Sequence, residues 1–151
     1  MAGRYGFMFM ANQVGRQGAT IATKHSKVYT MPDVILWTCP GQHHEIKHKS
    51  PTRTGLYGLE CYRFRALVDF ANETQQAVFY TIHDHEKAGG RDIKINRLSD
   101  WVSADVRALD GQWSIHDPNG TSWVNGQRKE NVSIYYWPVC LWIPLSRLWG
   151  L

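Results

Sequence analysis

Residues 32–49 read Pro-Asp-Val-Ile-Leu-Trp-Thr-Cys-Pro-Gly-Gln-His-His-Glu-Ile-Lys-His-Lys. The apolar run Val34 to Trp37 after Pro32 predicts a buried strand over 33–38. The residues from His43 to Lys49 predict a second strand, whose pleat places Glu45 and Lys47 on one face. N-terminal to it, 19–23 predicts a further strand, and 7–15 a short helix or packed arm. Ser50, Pro51, Thr52 and Thr54 form a polar turn into a helix over 56–73. Its apolar stripe Phe64, Leu67, Val68 and Ala71 recurs at i, i+3, i+4, i+7, with Arg63, Asp69 and Asn72 on the other face. The run Ala77 to Ile82 predicts a buried strand of a mixed or parallel sheet.

The second half carries weaker signals. Ala88-Gly89-Gly90 reads as a connector between lobes, and 92–95 as a strand. Ser99 reads as the N-cap of a helix bearing Trp101, Val102, Val106 and Leu109 that ends at Gly111. Asp117-Pro118-Asn119-Gly120 predicts a turn between two tryptophan-bearing strands, and Pro138 and Pro144 interrupt the apolar segment 132–145. The expected architecture is α/β: a small mixed sheet flanked by helices over 8–86, then a C-terminal extension over 91–151 with a helix and aromatic-rich strands. At 151 residues the chain has the length of a single domain, 1–151.

Composition narrows the class. With 43% hydrophobic and 20% charged residues, disordered, collagen-like and coiled-coil readings fall away. No apolar run approaches the length of a membrane span, and three cysteines without CxxC spacing suit thiols in a reducing compartment. The expectation is a cytoplasmic protein without disulfides and without a membrane partner. The net charge of +4 is unevenly spread. Residues 1–65 hold nine basic residues against Asp33, Glu45 and Glu60, a balance of +6, and the remainder carries −2. A polyanion would bind the basic half.

Pro32-Asp33, an apolar strand, a turn, then Glu45-Ile46-Lys47, an amphipathic helix and a hydrophobic strand together resemble the PD-(D/E)XK nuclease superfamily. The match spans about residues 8–83, and its compactness is similar to that of Holliday-junction resolvases and small phage or restriction-type endonucleases. The resemblance implies a restriction-endonuclease-like core that hydrolyses phosphodiesters in DNA, most naturally double-stranded or branched. It implies that Asp33 and Glu45 bind Mg²⁺, with Mn²⁺ as substitute and the Ile46 carbonyl as a further ligand. Lys47 would orient or deprotonate the attacking water, which makes Asp33, Glu45 and Lys47 the catalytic set. Hard cations need few carboxylates, because they keep several waters against a substrate phosphate. One departure is that no acid precedes Asp33, so a further ligand position is left to water or to Asn12 or Gln13.

Lys24, Lys27, Lys49, Arg53, Arg63 and Arg65 are the expected contacts to the nucleic acid, with Arg63 or Arg65 clamping a phosphate oxygen. A homodimer would span both strands of a duplex, and Trp137, Trp142 and Trp149 form either its interface or an aromatic core. The competing function is a non-catalytic module that binds nucleic acid or protein on the same fold; RNA cleavage is a third reading. Zinc bound by Cys39, His43, His44 and His48 is disfavoured, because no second ligand pair follows at finger spacing and adjacent His43 and His44 point to opposite faces. His83 and His85 read as polar strand-end residues, and His44 and His48 as neighbours of the site.

Overall fold

The computed structural model describes the backbone of residues 19–22, 28–31, 34–36, 42–91, 97–124 and 126–150. Asp33, Lys24, Lys27, Cys39, the expected arm at 7–15 and the expected strand at 92–95 lie outside the described residues. The fold is mixed α/β. In chain order the elements are β1 (Ala19–Ala22), β2 (Val28–Met31), β3 (Val34–Leu36), β4 (Gln42–Lys49), β5 (Leu56–Glu60), α1 (Cys61–Thr74), β6 (Ala77–Asp84) and α2 (His85–Ala88). There follow a 3₁₀ turn (Leu98–Asp100), β7 (Trp101–Asp105), α3 (Val106–Asp110), β8 (Ile115–Val124), β9 (Gln127–Pro138), a second 3₁₀ turn (Val139–Leu141), β10 (Ile143–Pro144) and α4 (Leu145–Leu148). No helix among the described residues is long and apolar enough to cross a membrane.

The central five-stranded sheet runs β10-β7-β6-β4-β3. Only β4 and β6 pair in parallel, with Glu45 beside Tyr80 and His48 beside His83; the other neighbours are antiparallel. Parallel neighbours need a crossover, and the chain supplies it through β5 and α1. A three-stranded antiparallel sheet, β5-β9-β8, and a hairpin of β1 and β2 complete the strands.

Helix α1 lies where its stripe predicts: Phe64, Leu67, Val68 and Ala71 are all buried, against Val78, Tyr80 and Ile82 of β6 and Val102 and Ala104 of β7. Burying each large apolar side chain contributes about 1.5–3 kcal/mol. The opposite face of the sheet holds a smaller cluster of Ile46, Trp101, Leu145 and Trp149.

Several expectations are corrected. Residues 56–60 are a strand rather than the first turns of the helix, because they pair with Ile134–Pro138 of β9. Gly58 is part of the reason, since it favours no helix and sits under Tyr136 so closely that an added Cβ would lie 2.6 Å from the ring. Residues 101–105 form a central strand, with Val102 and Ala104 on one face and Trp101 and Ser103 on the other. The helix after it starts at Val106, capped by Asp105 rather than Ser99, and ends at Gly111 as expected. Asp117-Pro118-Asn119-Gly120 does not turn the chain; it is an irregularity within β8, whose last residue Val124 pairs with Gln127 of β9. Since β8 is an edge strand, its Pro118 costs no interior ladder bond. Trp137, Trp142 and Trp149 are buried within their own chain, in keeping with the aromatic-core alternative expected for them. Gly89-Gly90 closes α2 through a left-handed C-cap, and β6 and β7 on either side of it share one sheet.

Candidate functional site

Strand alternation divides β4 between two chemistries. On the side facing α1 stand His43, Glu45, Lys47 and Lys49. The first carboxylate, Glu45, is fully buried. Arg63 of α1, expected to lie on an outer face of its helix, is instead buried and forks onto it, Nε donating to Oε1 at 2.8 Å and Nη2 to Oε2 at 2.6 Å. Two parallel charge-assisted hydrogen bonds offset the cost of taking both ions out of water. Lys47 Nζ stands 3.8 Å from Glu45 Oε1, with about a third of its side chain exposed.

Lys47 opens onto a groove of about 310 Å³ between β4 and the three-stranded sheet, lined also by Lys49, Glu60, Ser122, Trp123 and Tyr136. Glu60 was not among the expected site residues. Burial works to raise its carboxyl pKa, yet the Ser122 hydroxyl, Lys47 and Lys49 outweigh it and hold the group below the usual range. Lys47 is thus flanked by two carboxylates. Lys49 donates to the Gly58 carbonyl at 2.5 Å and lies 5.8 Å from the centre of the Tyr80 ring. Burial pulls its ammonium down to about 8, with Glu60 opposing and Lys47 adding to the shift. Trp123 reaches the same groove with 70% of its surface exposed.

The other expected contacts are scattered. Arg53 is exposed in the turn between β4 and β5, where Gly55 takes a left-handed φ of 74°. Arg65 bonds Asp110 at 2.7 Å and the Tyr135 hydroxyl at 3.3 Å, outside the groove lining. The Ile46 side chain lies in the smaller core cluster. Asp33 is not described, but the residue after it, Val34, pairs with His44, the residue before Glu45.

As a cation ligand Glu45 has the right chemistry. Its oxygens are hard and anionic, and the Arg63 fork occupies one acceptor position on each, leaving capacity on both.

The opposite side of β4 carries His44, Ile46 and His48. His44 is buried and lies 5.3 Å from Phe79, stacked. Trp149 Nε1, which can only donate, bonds Gln42 Oε1 at 3.3 Å, so that atom accepts; His44 Nε2, 3.1 Å from it, is therefore the protonated nitrogen. His44 Nδ1 then accepts from the Thr81 hydroxyl at 2.7 Å, and Thr81 Oγ1 accepts from Ser103 at 2.8 Å. Burial, with His43 adding, lowers the His44 pKa from 6.5 to about 3. His48 meets His83 and His85 at the end of the parallel pair, a grouping the sequence reading did not anticipate. The signal available was His83-x-His85 at a strand end, but its partner on β4 could be found only from the register. Comparison with family models, curated proteins and solved structures returns no match.

Proposed function

We propose that this protein is a metal-dependent endonuclease acting on DNA, with Glu45 and Lys47 at the centre of its site. The observation that carries the reading is the placement of Glu45 and Lys47 on one face of β4, with Lys47 at a groove that holds a second carboxylate, Glu60, and a second lysine. An antiparallel β3–β4 pair followed by a helical crossover to parallel β6 supports the restriction-endonuclease-like core.

In this reading Glu45, with Asp33 and the Ile46 carbonyl, would hold Mg²⁺ or Mn²⁺, which would supply Lewis acidity and lower the pKa of a water. The protein's own groups do the rest. Arg63 fixes the Glu45 carboxylate by its fork, so the ligand oxygens are positioned before substrate arrives. Lys47 orients the water that attacks phosphorus and stabilises the negative charge that builds on the phosphoryl oxygens as the bond to the leaving oxygen breaks. Lys49 and Arg53 would meet backbone phosphates, and Trp123 offers an exposed ring on which a base can stack.

One observation favours a second reading, a module that binds without cutting: both Glu45 oxygens are already engaged by Arg63. Supercoiled plasmid, single strands and a four-way junction, each incubated with Mg²⁺, Mn²⁺ or EDTA, separate the two. The nuclease reading expects cleavage that needs the cation and falls by about 100-fold or more in Lys47→Ala. Cleavage that survives EDTA, or that Lys47→Ala leaves unchanged, would overturn it. Retention of DNA with no cleavage under either cation would select the binding module, and cutting of RNA in place of DNA would move the substrate.

A further inference from the structure

His48, His83 and His85 come from three elements: the end of β4, the end of β6 and the first residue of α2. They lie on the side of the sheet away from Glu45, because His48 is an odd number of residues from it along the pleat. One ring nitrogen from each lies within 4.8 Å of the others. His48 Nδ1 and His83 Nδ1 share a hydrogen bond of 3.2 Å, a contact that a bound ion would replace. Two imidazole nitrogens sharing a tetrahedral ion at Zn–N distances of about 2.0–2.1 Å stand about 3.3–3.4 Å apart, so this pair is already at ligand spacing.

The surroundings hold the rings in place. His83 is fully buried and stacks on Trp101 at 4.9 Å, and His48 meets the same indole edge-on at 5.8 Å. With Nδ1 turned to the cluster, His83 Nε2 is a buried nitrogen without a hydrogen bond, and its nearest acidic partner is Asp100 Oδ2 at 3.7 Å. Asp100 is gripped by Arg91 through bonds of 2.9 and 2.7 Å. A carboxylate behind the far nitrogen of a ligating histidine is the usual means of fixing its tautomer and orientation. His85 is set by its neighbour: Asp84 accepts from Glu86 N at 2.8 Å and Lys87 N at 3.2 Å, which caps α2, and its other oxygen accepts from the Tyr57 hydroxyl.

We propose that His48, His83 and His85 form a binding site for a transition-metal dication of the Zn²⁺ class, separate from the Glu45 face. Neutral imidazole nitrogens select such ions over Mg²⁺. His85 is exposed, so the fourth position faces solvent and is filled by water. A bound ion ties the ends of the two parallel strands to α2.

The test is titration of chelator-treated protein with Zn²⁺ against a chromophoric chelator, repeated with Co²⁺ to read its visible spectrum and with Mg²⁺. The expected result is one Zn²⁺ per chain, weakened about tenfold or more in His48→Ala and in the exposed variant His85→Ala. His116→Ala, on the distant β8, and Lys47→Ala should both leave binding unchanged. Absence of Zn²⁺ binding overturns the proposal, as does equal affinity in His85→Ala and His116→Ala. Loss of the ion in Lys47→Ala with retention in His85→Ala would place it on the other face and overturn it too. Because the readout is Zn²⁺ affinity, failure of the nuclease reading leaves this result untouched.

Discussion

The two faces of β4 are built from alternate residues of one strand, yet they treat charge in opposite ways. Towards α1, Glu45 is buried against cations: Arg63 forks onto both of its oxygens and Lys47 stands close by. Away from α1, His44 is equally buried but neutral, satisfied by Gln42 and a chain of hydroxyls. A buried ion needs a counter-ion, whereas a buried neutral ring needs only hydrogen-bond partners of the right polarity. The first arrangement suits chemistry on phosphates; the second leaves the His44 ring unprotonated.

The contrast can be broken from the ionic side first. Arg63→Leu strands the Glu45 carboxylate in the core and should cost about 3–5 kcal/mol in urea unfolding, while Glu45→Gln combined with Arg63→Leu should recover much of it. If the single and double variants are equally unstable, the pair is not what holds this face.

Acid tests the neutral side. The unfolded chain protonates His44 near pH 6.5, but the folded chain resists until about pH 3, so the unfolded state takes up more protons between these values. Stability should therefore be full above pH 6.5 and fall as pH drops, by about 3 kcal/mol at pH 4 from this group. His44→Gln should flatten that slope in denaturation curves recorded from pH 7 to 4.

Thr81→Val removes the hydroxyl between His44 and Ser103, and about 1–2 kcal/mol should be lost in thermal or urea melts. The smallest effect belongs to an ion pair outside the sheet. Arg65→Ala breaks an exposed contact with Asp110 and should cost less than about 1 kcal/mol, with a shallow salt dependence; a loss as large as that of Arg63→Leu would erase the distinction between buried and exposed pairing.

Much of the sheet was legible in the sequence. Val34 to Leu36, 43–49 and 77–82 announce strands by apolar runs or alternation, and the α1 stripe announces its buried face. What escaped was set by partners distant in the chain. Residues 56–60 and 101–105 are too short for their pattern to compete with an adjoining helix, and they are strands because Ile134–Pro138 and β6 pair with them. Glu45 and Lys47 could be singled out from spacing on a pleat, but the Arg63 fork depends on the rotation of α1, which the sequence does not state. The histidine cluster was hidden for a similar reason: His48 and His83 are brought together by parallel register alone. Of the two readings open for Trp137, Trp142 and Trp149, the aromatic core holds, and among the described tryptophans Trp113 and Trp123 are the exposed ones.

The pairing of Gly58 with Tyr136 also has a kinetic side. The β8–β9 hairpin closes through a short reversal and can form within microseconds, whereas β5 joins β9 only after most of the chain between them has been brought in. One wall of the groove comes from residues 47–60 and the other from 121–136, so the groove comes into being with that late, long-range closure. A ligand seated there would therefore not bind any partly folded chain in which the hairpin alone has formed, and its release would report global unfolding rather than local fraying.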